Sequence, residues 1–174
     1  MQLSSSNGLV QHNMTRLLTI FFLLLVSGCA VVTSYPYKPV SSDSVVKLER
    51  CSVFYKYVAQ IDEGVTLDIR TSRADEPRMT AYIQVVDKEL KSLHFLDKRF
   101  KIESGDDGSI GYGEVKLRPA TGVLVADVEF GKFFPKKFTL YLPEIQTSKK
   151  VIAVAPITFE MQTEKSAHGI LCGL

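Results

Sequence analysis

The chain has 174 residues, of which 45% are hydrophobic, 10% aromatic and 23% charged, enough apolar side chain to exclude disorder and to bury one core. Its 21 Lys and Arg against 19 Asp and Glu leave a formal net charge of +2, too even for the basic footprint of a nucleic-acid binder. Tryptophan is absent, and the three cysteines are Cys29, Cys51 and Cys172.

The first element in the chain is a targeting segment. Arg16 is followed by Leu17-Leu18-Thr19-Ile20-Phe21-Phe22-Leu23-Leu24-Leu25-Val26, and then by Ser27 and Gly28 before Cys29. So short a run cannot span a bilayer, which needs about 20 apolar residues. A basic residue, an apolar stretch and small residues at a cleavage point describe a secretory signal peptide over residues 1–28. Residues 1–13 are long and uncharged for such a leader, and Met14-Thr15-Arg16 would make a more ordinary start.

Val26-Ser27-Gly28-Cys29 resembles the lipobox of bacterial lipoproteins, in which an aliphatic residue, a small or medium residue and Gly or Ala precede a Cys. The resemblance implies cleavage between Gly28 and Cys29, a diacylglycerol thioether on Cys29 and acylation of the new amino terminus. Each buried methylene contributes about 0.8 kcal/mol, and two or three chains hold a protein where one is marginal. The resemblance thus places the mature protein on a membrane through its lipid. Ala30, rather than Asp, follows the cysteine; by resemblance to the enteric sorting pattern this favours the outer membrane, with the domain facing the periplasm.

Residues 29–44 read as the lipidated cysteine and a flexible Pro/Ser tether, since Tyr35-Pro36-Tyr37-Lys38-Pro39 and Ser41-Ser42-Asp43-Ser44 carry no hydrophobic period. The folded domain is expected over residues 45–174. Strict alternation in Val65-Thr66-Leu67-Asp68-Ile69-Arg70 predicts a half-buried strand. The same period of two recurs over 54–61, 81–86, 99–103, 114–118, 123–130, 138–142 and 151–161. Asp62-Glu63-Gly64, Gly105-Asp106-Asp107-Gly108 and Ala120-Thr121-Gly122 supply hairpin turns. Residues 87–96 are a candidate short helix, with Leu90 and Leu93 on one side. Roughly seven to nine short strands punctuated by Pro119, Pro135 and Pro143 predict an all-β fold. The architecture is an antiparallel β-sandwich (immunoglobulin-like or transthyretin-like) or a small barrel. In an oxidising periplasm Cys51 and Cys172 are expected to form a disulfide worth about 4–5 kcal/mol in the chain-entropy account; the alternative is two thiols buried as small hydrophobes.

No catalytic constellation is legible. His94 and His168 are the mature chain's histidines and neither sits in a nucleophile motif. His168 and Cys172 have ligand spacing without further ligands nearby, and Glu103, Asp106 and Asp107 suit a turn better than a calcium loop. The expectation is a non-enzyme without metal or cofactor. Phe130-Gly131-Lys132-Phe133-Phe134-Pro135-Lys136-Lys137-Phe138 interleaves lysines with phenylalanines. Exposed, Lys132, Phe133, Phe134, Lys136 and Lys137 would form a binding loop for an anionic polymer or membrane surface; otherwise Phe130 and Phe138 are core strand residues and the lysines keep the connection soluble. Two functional classes follow: a protein-interaction or assembly module of the envelope, or a small lipid- or glycan-binding module. An exposed sheet edge supports the first and an apolar cavity with convergent polar groups the second.

Overall fold

The structure, a computed structural model, describes residues 30–40, 45–49, 53–89 and 92–168. They are all-β, with no helix among the described residues. The strands are β1 (Ala30–Ser34), β2 (Tyr37–Pro39), β3 (Val45–Glu49), β4 (Val53–Asp62), β5 (Val65–Thr71), β6 (Met79–Asp87), β7 (His94–Phe95) and β8 (Phe100–Ser104). There follow β9 (Ile110–Ala120), β10 (Val123–Gly131), β11 (Lys137–Tyr141), β12 (Ile145–Gln146), β13 (Val151–Ile152), β14 (Ile157–Met161) and β15 (Glu164–His168).

The chain divides into two compact units. In the smaller, residues 30–32 and 165–168 belong to β1 and β15, which pair as a two-stranded sheet. The larger unit, Thr33–Glu164, holds a ten-stranded antiparallel sheet in the order β2-β14-β11-β8-β9-β10-β6-β5-β4-β3 and a small sheet β13-β12-β7. The large sheet curls until β2 lies against β4, so it is nearly closed like a barrel.

Alternation puts one apolar face inside. Leu67, Ile69, Ile83, Phe100, Ile102, Leu140 and Phe159 are fully buried and belong to one continuous cluster. Aromatic rings join its parts: Tyr37 meets Phe138 edge-on at 4.9 Å between centroids, and Phe138 stacks on Phe159 at 5.1 Å.

β9 lets one sheet wrap the core from both sides. Its residues 110–113 pair with β8, whereas 114–120 pair with β10, so the strand changes partners at Gly113. A Cβ on Gly113 would lie 2.1 Å from Cγ1 of Val128 and 2.9 Å from Cε1 of Phe130. Glycine is required there because β10 side chains fill the space a side chain would need.

Three expectations need correction. Within the stretch read as a tether, Tyr37–Pro39 is a strand paired with β14, and Tyr37 is 1% exposed; one buried aromatic outweighs the absence of a period. The described residues of 87–96, namely 87–89 and 92–96, are not helical: Asp87 accepts the Glu89 amide at 2.8 Å in a turn, and Leu93 and Phe95 are buried with His94 exposed between them, a strand's period. The run 151–161 is two strands in different sheets, broken at 153–156 by a segment ending in Pro156.

Candidate functional site

The two ends of the large sheet differ in chemistry. β2 is three residues long and carries Pro39 opposite Phe159, so its edge lacks an amide donor at that point. β3, Val45-Val46-Lys47-Leu48-Glu49, contains no proline and, among the described residues, pairs with β4 alone. Its register sets Val46 opposite Lys56 and Leu48 opposite Phe54, on the outer face, where Val46 is 43% and Leu48 38% exposed.

On the other face of β3, Lys47 lies 3.6 Å from the carboxylate of Glu164. The Tyr55 hydroxyl donates to the same carboxylate, and Lys38 on β2 sits 5.6 Å from the centre of the Tyr55 ring. This polar cluster lies where the sheet's ends approach and holds β3 in place, while among the described residues no strand pairs with its outer edge.

The Lys/Phe loop is part of the scaffold. Gly131, at φ +70°, ends β10 in a register slip that a side chain would strain, and the chain turns back toward β11. Phe133 and Phe134 are half-buried against the core. Phe133 lies over Gly111, its ring 3.6 Å from where a Cβ would stand. The Lys136 amide donates to Asp106 at 2.6 Å, the Pro135 carbonyl accepts the Tyr37 hydroxyl at 2.8 Å, and Lys137 pairs with Glu160 at 2.7 Å. Lys132 and Lys136 point to solvent, so the apolar half of the proposed binding loop is already engaged.

An open groove of about 450 Å³ crosses the outer face of β6, β10 and β9, lined by Thr80, Tyr82, Glu114, Lys116, Asp127 and Glu129 among others. Arg118 holds Asp127 at 2.7 Å and Arg78 holds Glu129 at 2.5 Å. Its charged rim differs from the apolar cavity a lipid would require.

Glu103, Asp106 and Asp107 are sent to separate tasks. Glu103 pairs with Lys101 at 3.1 Å, and Lys101 followed by the Tyr141 hydroxyl holds its carboxyl below the usual range. Asp106 caps the Lys136 amide, and Asp107 accepts the Ser109 amide at 3.0 Å and hydroxyl at 2.7 Å. Bonds from the Ser104 hydroxyl first, then from Ser109, pull Asp107 down to about 2 from 3.8. The unfolded chain therefore takes up this proton first as pH falls, and the stabilisation by Asp107 is complete above 3.8 and lost toward about 2. Thermal melts of Asp107→Asn should fall below wild type at neutral pH and converge with it near pH 2; a constant gap would refute a contribution from the charge.

His94 is exposed on β7, and His168 is the last residue of β15. Gly28 and Cys29 at the cleavage point, and the Cys51–Cys172 pair, lie outside the described residues. Sequence reasoning missed β3 as a strand, because five residues with apolar Val45, Val46 and Leu48 on both faces show no clean alternation. No family model, no curated protein and no solved structure matches the chain.

Proposed function

We propose that this protein is a lipid-anchored envelope protein, facing the periplasm from the outer membrane, that works without catalysis by docking a protein strand on the edge of β3. The observation that carries the reading is the asymmetry of the sheet's ends: β2 is short and interrupted by Pro39, while β3 keeps its amides and displays Val46 and Leu48. Strand addition at such an edge draws affinity from main-chain hydrogen bonds and selectivity from alternate side chains. The anchor rests on the lipobox resemblance at residues 26–29.

A photo-crosslinking residue at position 46, expressed in the native host, tests the docking. An adduct is expected from position 46, none from Lys116 on β9, and the adduct should vanish when Leu48→Lys is added, since lysine blunts a sheet edge. Absence of any adduct at position 46 overturns the reading. The anchor has its own test: Cys29→Ala should abolish fatty-acid labelling and release the protein from the membrane fraction, and a labelled variant would refute it.

A further inference from the structure

We infer that the strand docked on β3 is the β3 of a second copy of this chain, run antiparallel about a twofold axis at Lys47. The inference rests on the reading of β3 as a docking edge and names its partner. Centred on Lys47, the pairing matches all five residues of Val45–Glu49 with all five of the second copy; any other register leaves residues of the strand unmatched. Residues opposite one another in an antiparallel pair share a face, so each Val46 meets the second copy's Leu48. Both outer-face side chains that β3 leaves 43% and 38% exposed are covered at once, in two apolar cross-strand pairs.

On the other face the two Lys47 side chains meet at the axis, and like charges directly opposite ordinarily destabilise a sheet. Each lysine arrives with Glu164 of its own chain 3.6 Å away, so each positive charge brings a carboxylate to the axis with it. The same sheet also accounts for closure at two copies. A head-to-tail contact of β3 on β2 would propagate into a filament, but β2 carries Pro39 and already lies against β4. Of the two ends of the large sheet, among the described residues, β3 is the one left to pair, and its edge is self-complementary.

The test uses the full-length protein extracted in mild detergent, with Val46→Lys and Leu48→Glu as two separate variants at exposed edge positions. Circular dichroism and thermal melting should show both folded. Light scattering should give a dimer for wild type and a monomer for each variant alone, a weakening of about tenfold or more. An equimolar mixture of the variants should return to a dimer. In the mixed pair the introduced lysine faces the introduced glutamate on one side of the axis, and the native Leu48 and Val46 still meet on the other. A dimer that persists in both variants, or a mixture that stays monomeric, overturns the inference. A wild type that is monomeric also overturns it, and crosslinking from position 46 then separates the two readings: an adduct with a different protein leaves the docking edge standing, and no adduct ends both.

Discussion

Gly113→Ala should destabilise the domain by about 3 kcal/mol, at the upper end for overpacking a core, although alanine is the smallest side chain that can be added. Its Cβ would lie 2.1 Å from Cγ1 of Val128, which is 1% exposed, and 2.9 Å from the Phe130 ring. Neither neighbour offers a flexible end to move aside. Valine is stiff at χ1, and Phe130 belongs to the same core cluster. The strain falls where β9 changes partners between β8 and β10, so relief by backbone shift would open the join between the two parts of the sheet. Urea denaturation of Gly113→Ala, Val128→Ala and the double variant checks this. The double variant should be more stable than the sum of the two single losses predicts, because removing the Val128 methyls vacates the clash. Additive losses would place the cost elsewhere.

The long strands were legible because they are half-buried and each side chain obeys the period of two. β5, β6 and β10 alternate buried and partly buried residues almost without exception, and the runs read at 65–70, 81–86 and 123–130 lie inside them. What was not legible has two physical causes. Strands of two or three residues, such as β2, β7, β12 and β13, are too short for a period to show, and long-range pairing fixes them. Corners are set by what packs against them: nothing in Ile110-Gly111-Tyr112-Gly113 announces that Ile102, Phe133, Val128 and Phe130 occupy the inner side of those glycines. The candidate docking edge was hidden for a third reason. An edge strand is defined by the neighbour it lacks, which local sequence does not encode, whereas the Lys/Phe loop advertised exposed aromatics that the fold in fact uses against its own core.

Tyr37→Ala gives the sharpest distinction between a tether and a strand over residues 35–40, since a solvated tyrosine could be removed at almost no cost. Tyr37 is 1% exposed, meets Phe138 edge-on, and donates its hydroxyl to the Pro135 carbonyl at 2.8 Å. Removing so large a buried ring should destabilise the domain by about 3–5 kcal/mol. Tyr37→Phe, which keeps the ring and orphans the carbonyl, should cost about 1 kcal/mol. Burial, with a smaller push from the Asp106 carboxylate, raises the hydroxyl from 10.0 to about 12. The folded state therefore holds this proton after the unfolded chain has lost it, and the wild type should lose stability as pH climbs from 10.0 toward about 12. Tyr37→Phe lacks that alkaline loss, so the gap between the two proteins should narrow across the same interval. Denaturant midpoints measured at neutral and alkaline pH decide the matter: a Tyr37→Ala protein as stable as wild type would return residues 35–40 to the tether and remove β2 from the sheet.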